Sequence, residues 1–275
     1  MWQLIVILSS VLAGCFNLLN KRLTNINSLK ATFYTSLISA LILLFFSSNF
    51  ILPTNNLGWL FLLISALLWG IFRVLYLLVY KHLDISLTSS LIELRIALVL
   101  VLSFLLLGNS ITVKELIGFA FMFLGALISG YHQKKNYKTS KTGFILLGLL
   151  IIVSGFIKIV DSVGVKFFNT YTYSFGMYLI PTIMVYSFMK KKKVNAKITR
   201  QNLNIILLLS IIGVASYILN LYAYTLTEVS NVAILSKLSI AVSIIGGFIF
   251  YGEKEKLKKI ITAILVIIGA IIISV

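Results

Sequence analysis

Six ionisable side chains stand inside stretches that are otherwise apolar: Arg73, Glu93, Arg95, Lys158, Asp161 and Lys237. A charge at the centre of a membrane helix costs ~2.5–3.5 kcal/mol on insertion scales. Such groups face a bundle interior or a wet cavity, pair there, and mark the path of a polar solute. The chemistry open to them is recognition: a cation holds a carboxylate or phosphate, and an acid holds an amine or carries a proton. Covalent catalysis asks for a nucleophile beside a base, or for a metal cluster. The chain has only His82, His132 and Cys15 to offer, and no phosphate-cradling glycine loop. An integral membrane enzyme is the competing class, and these residue types argue against it.

The elements that must position these charges follow from composition. Of 275 residues, 60% are hydrophobic and 11% charged, and the mean hydropathy is +1.05. A soluble domain carries about 25% charged residues. Breaks at charge, Pro, Asn and Gly clusters divide the chain into ten apolar stretches. They cover 2–20, 31–47, 58–80, 87–107, 114–131, 143–165, 172–189, 203–225, 230–251 and 259–275. In lipid every backbone group must bond internally, so these are helices. The expected fold is all-α, a polytopic membrane protein of ten transmembrane helices. "VLAGC" (Val11–Cys15) has the form of a lipoprotein box, but the preceding "MWQ" lacks the cation of a signal peptide.

Lys and Arg alternate in abundance from loop to loop. Eighteen of the 24 lie in odd-numbered loops and two, Lys114 and Lys166, in even ones. The positive-inside rule then predicts a multi-pass protein of the cytoplasmic membrane, with odd loops in the cytoplasm and both termini outside. The run Lys190–Lys193 reads as a topology anchor touching anionic lipid. The net charge of +17 is thus explained without nucleic acid.

The chain also repeats itself. "LGNSITVKELIGFAFMFLGALISG" (107–130) matches "YGEKEKLKKIITAILVIIGAIIIS" (251–274), with Gly108 on Gly252 and Gly125 on Gly269, both 144 apart. At the same offset Tyr80 falls on Tyr224, Asp84 on Glu228, Ser86 on Ser230 and Glu93 on Lys237, while Gly14 falls on Gly155. Five helices per copy force the second to run inverted. The expected organisation is a first repeat at 1–131, a basic cytoplasmic linker at 132–142 and a second repeat at 143–275. With these features the chain resembles the drug/metabolite transporter superfamily in its ten-helix EamA-type branch. Two departures are Gly14 alone where "WG" is usual, and Asn109 where Glu follows the first repeat's glycine; Glu253 keeps it in the second. The resemblance implies transport of a small organic solute by alternating access, without a bound cofactor.

Depth along the helices sorts the charges into two groups. Arg73 and Glu93 lie ~10 Å from the cytoplasmic ends of spans 3 and 4, where they can pair, with Asn17 and Asn20 near. Lys237 lies at the equivalent depth below the outer surface. Lys158 and Asp161 share that level and one helix face, with Tyr217 and Asn220 offering hydrogen bonds. A cavity lined by spans 1, 3, 4, 6, 8 and 9 is expected, with spans 5 and 10 as scaffold. The expected substrate-binding residues are therefore Lys237, Lys158, Asp161, Glu93, Arg73, Asn17, Tyr217 and Asn220. The cavity's net charge of about +2 favours an amino acid or related carboxylate. A lysine in the ninth span is also similar to the sugar-phosphate and nucleotide-sugar branches of the superfamily. The bland readings are that Arg95 ties helices together, that Lys158–Asp161 is a structural ion pair, that Gly246–Gly247 serves packing, and that Pro181 kinks span 7. Expected partners are the small-molecule substrate, the bilayer and a coupled proton or counter-substrate. No metal is expected, and a homodimer is compatible.

Overall fold

The computed structural model describes residues 1–23, 26–53, 55–82, 92–131, 141–195 and 198–251, and in the last predicted span 260–261, 264–265, 267–269 and 271–272. The described residues form no strand. Their helices are α1 (Trp2–Lys21), α2 (Ser28–Leu44), α3 (Asn56–His82), α4 (Arg95–Leu107), α5 (Val113–Tyr131), α6 (Lys141–Gly164), α7 (Thr170–Lys191), α8 (Arg200–Leu226), α9 (Val229–Leu235) and α10 (Leu238–Tyr251). Among the described residues, five stretches are long and apolar enough to cross a membrane: Trp2–Asn20, Asn56–Val79, Lys141–Phe167, Arg200–Leu226 and Val229–Gly247.

The helix ends are set locally. Asn27, Asn169 and Thr199 each accept a backbone N–H in the first turn of α2, α7 and α8, which satisfies donors that would otherwise face lipid headgroups unpaired. Thr112 and Glu115 form a capping box at α5, with Thr112 N donating to Glu115 Oε2 at 2.7 Å and Glu115 N to Thr112 Oγ1 at 3.2 Å. α4 ends on Gly108, whose φ of +67° suits a residue without a Cβ. Asn109 then donates to Ser103 from both its backbone N (3.3 Å) and its Nδ2 (2.8 Å). That accounts for the asparagine at this turn.

The ninth predicted span is not one helix. It is interrupted at Ser236–Lys237, between α9 and α10. Hydrogen bonding tightens there from i−4 to i−3: Lys237 N donates to Ile234 O at 3.0 Å and Ile240 N to Lys237 O at 2.9 Å. The Ser236 hydroxyl takes the Ala233 carbonyl at 2.8 Å, which stabilises the tightened turn. In the first repeat Ile92–Leu94 is a 3₁₀ turn immediately before α4. Adding the repeat offset of 144 to Ile92 gives Ser236, so both copies depart from α geometry at one place.

Packing carries the same symmetry. α3 lies on α6 as α8 lies on α1; α4 lies on α6 as α10 lies on α1; α3 lies on α7 as α8 lies on α2; and α2 pairs with α7. Each of these relations exchanges the two copies. α2 and α7 run antiparallel: near the end of α2, Phe46 stacks on Tyr171 and Ile51 N donates to Thr172 Oγ1 at 2.9 Å. Gly14 and Gly155 mark the exchanged seams. A Cβ built on Gly14 would stand 2.5 Å from Val242 Cβ, and one on Gly155 would stand 2.6 Å from Leu98 Cδ2. Leu98 and Val242 are 144 apart, so one close approach is made twice, each time between opposite copies.

Candidate functional site

Asp161 is a buried carboxylate held by three hydroxyl donors. It is 1% exposed, on α6. Its Oδ1 accepts from Ser65 Oγ of α3 and from Tyr173 OH of α7 at 3.0 Å, and its Oδ2 from Tyr217 OH of α8 at 2.9 Å. Three of the roughly four acceptor positions of a carboxylate are filled; the remaining one is on Oδ2. Tyr217 is itself held by stacking on Trp69 and an edge contact with Tyr178.

Lys158 stands one turn earlier on the same helix and is half-buried. Among the described residues it forms no ion pair with Asp161 within 4 Å. Its ammonium lies 5.7 Å from the centre of the Tyr224 ring, within electrostatic reach of Arg95 and Asp161. The Tyr224 hydroxyl is buried without a hydrogen-bond partner among the described residues. One acid, two cations and a partnerless hydroxyl thus meet around α6.

A second cluster surrounds Arg73, 4% exposed. Its Nη2 donates to Thr35 Oγ1 of α2 at 3.3 Å, and its guanidinium carbon lies 5.2 Å from the centre of the Phe16 ring of α1. The Tyr178 and Tyr76 hydroxyls are within electrostatic reach. Ser65 and Arg73 lie eight residues apart on α3, so the two clusters are about 12 Å apart along that helix. The side chain of Glu93 lies outside the described residues, and with it the expected Arg73–Glu93 pair.

Lys237 is 4% exposed at the break between α9 and α10. Asn17 reaches Ser243 of α10 at 3.5 Å, on the flank where Gly14 meets Val242. Asn220 turns toward α1: its Nδ2 donates to Ser9 Oγ, while the Ser9 and Ser216 hydroxyls bond each other's carbonyls at 2.9 and 3.0 Å. Asn220 therefore joins the α1–α8 seam, and Lys158, Asp161 and Tyr217 are the predicted residues that come together. α2 and α7, absent from the expected lining, supply Thr35, Tyr173 and Tyr178. Hydroxyls on apolar helices leave no charge signal, so Ser65 and Tyr173 went unseen; Tyr224 was visible only as the repeat partner of Tyr80.

The repeat offsets connect the clusters. Subtracting 141, the offset of Gly14 and Gly155, from Lys158 and Asp161 gives Asn17 and Asn20; subtracting 144 from Tyr217 gives Arg73. Two half-sites occupy equivalent positions of inverted copies. No three His, Cys, Asp or Glu side chains gather into a metal site among the described residues.

A multi-pass membrane protein of two inverted helical bundles, with polar half-sites at matching positions, is the class these features define. The family model described as the EamA-like transporter family matches residues 1–131 and again 141–275, and the chain belongs to that family, within the drug/metabolite transporter fold. Its members are membrane transporters of small molecules, not enzymes. A solved structure titled "Crystal structure of protein" superposes with a TM-score of 0.81 over 98% of this chain and 95% of its own, at 12% identity. At that identity the likeness establishes the fold alone. No curated protein sequence matches the chain.

Proposed function

We propose that the chain is a secondary transporter that carries a small polar metabolite, an amino acid or related carboxylate above all, across the cytoplasmic membrane by alternating access. One observation carries the substrate class. Lys158 and Asp161 sit on one helix face, ~5–6 Å apart at Cβ, yet form no ion pair within 4 Å. A zwitterion inserted between them satisfies both, its carboxylate on the Lys158 ammonium and its ammonium on the open position of Asp161 Oδ2. Arg95 lies within electrostatic reach, and Tyr224 adds a hydroxyl with no hydrogen-bond partner among the described residues. Lys237, at a helix break of the kind that lines substrate sites in inverted-repeat carriers, gives the anionic group a second hold.

The halves rock about the Gly14–Val242 and Gly155–Leu98 seams and expose the clusters alternately to each side. Odd-numbered loops face the cytoplasm, and Glu93 or Asp161 carries a coupled proton where one is used. Counterflow in proteoliposomes tests this. Labelled amino acids and small carboxylates are expected to enter saturably and to be accelerated by unlabelled solute inside. Lys158→Met and Lys237→Ala are expected to abolish binding with folding retained. Exchange of sugar phosphates with every amino acid and carboxylate rejected would replace this reading with the phosphate-exchanger one.

A further inference from the structure

Where α2 begins and α7 ends, the antiparallel pair leaves a cavity of about 570 Å³ lined by Asn27, Lys30, Lys192, Lys193 and Asn202. Three lysines from two elements some 160 residues apart in the chain thereby line one concavity. Two helix starts stand at its rim: Asn27 accepts from Leu29 N at 3.0 Å at the head of α2, and Thr199 from Asn202 N at 3.4 Å at the head of α8. Their dipoles present positive ends. α7 closes with Val194 N on Met189 O at 3.0 Å and Lys193 N on Lys190 O at 3.2 Å, a helix stop whose left-handed residue is ordinarily glycine. Here it is Lys193, at φ +50°, a backbone conformation that a residue with a Cβ seldom adopts.

Among the described residues no carboxylate lines the concavity with these cations. The chain has no Asp or Glu from residue 1 to 83 or from 162 to 227. A run of lysines that only sets topology needs no concavity; this one lines an open, polar depression. It opens at the helix ends, the level of lipid headgroups, and is larger than one orthophosphate requires.

We propose that this cavity binds a phosphate-bearing anion, with Lys30, Lys192 and Lys193 holding the phosphate oxygens. That chemistry belongs to an anionic phospholipid headgroup and to a soluble phosphate ester alike. The site is separate from the Asp161 and Arg73 clusters and does not depend on which solute is carried.

The test uses the full chain in phosphatidylcholine nanodiscs and follows thermal unfolding. Short-chain phosphatidylglycerol is titrated in one arm and glycerol phosphate in the other. Three proteins are compared: the unsubstituted chain, K30Q/K192Q/K193Q, and K190Q/K191Q/R200Q, which loses the same charge outside the cavity. At least one probe is expected to stabilise the unsubstituted chain saturably. The lining variant is expected to bind that probe at least about tenfold more weakly than the control variant. A response to lipid alone identifies the headgroup; a response to glycerol phosphate identifies a free anion. No response to either probe, or equal losses in the two variants, would overturn the proposal. Lys193→Gly guards against a misfolded triple variant, because it relieves the left-handed backbone while deleting one ammonium. It is expected to raise basal stability and weaken binding about fivefold; unchanged binding would count against the site.

Discussion

Asn20 with Arg73 in the first copy, and Asp161 with Tyr217 in the second, occupy matching positions on matching helices, yet their chemistry is opposite. In the second copy the charge is an acid on α6, enclosed by Ser65, Tyr173 and Tyr217. In the first it is a cation on α3, held by one hydroxyl and one aromatic face. The counterpart of the acid, Asn20, is neutral; its Nδ2 bonds Phe16 O of its own helix at 3.1 Å and its Oδ1 has no partner among the described residues. Inverted duplication fixes where helices cross, while the side chains at the crossings diverge freely. The result is a bundle symmetric in backbone and polarised in charge along α3.

The sharpest way to break this comparison is to neutralise each centre. Asp161→Asn is expected to cut transport at least about 100-fold, because it removes the charged acceptor of three buried hydrogen bonds, each worth ~1.5–3 kcal/mol. Arg73→Gln is expected to cost about tenfold, since its hydrogen bond to Thr35 is long. Initial uptake rates in proteoliposomes measure both, and a larger loss at Arg73 would move the binding centre to the first copy.

The two seams offer the next contrast. Gly14→Ala meets the Cβ of a stiff β-branched valine and, at 3.0 Å, the Ser239 carbonyl, so a stability loss of ~1–3 kcal/mol is expected. Gly155→Ala meets the mobile end of Leu98 and is expected to lose under ~1 kcal/mol. Thermal unfolding in detergent ranks them, and equal losses would show that the seams are not distinguished by the flexibility of their neighbours.

A further contrast separates the two hydroxyl sets. Ser65→Ala removes a donor to a charged acceptor and is expected to cost ~1.5–3 kcal/mol. Thr35→Ala removes an acceptor 3.3 Å from Arg73 and is expected to cost ~0.5–1 kcal/mol. Substrate affinity in the two variants reads the difference.

Much of this was legible in the residues themselves. Long apolar runs announce membrane helices because lipid permits little else, and a matched offset announces a second copy because five helices invert the chain. Arg73, Lys158 and Asp161 stood out because a charge in an apolar run has few neutral explanations. Other parts could not be read. The break at Ser236–Lys237 depends on one serine hydroxyl taking the Ala233 carbonyl, a choice that serine makes in many unbroken helices. Asn220 resembles a site residue in sequence, and only the crossing of α1 over α8 commits it to Ser9. Tyr173 is one of 13 tyrosines, and nothing in its surroundings singles out the hydroxyl that reaches Asp161.

Because Gly14 seats against Val242, α1 rests on a helix made 228 residues later. At ~5–20 residues per second, it waits roughly 10–45 s in the bilayer for its permanent neighbour. Assembly of the protein is therefore post-insertional: a nascent chain halted before residue 242 would hold α1 in lipid with one flank bare, a substrate for membrane quality control rather than a half-built carrier.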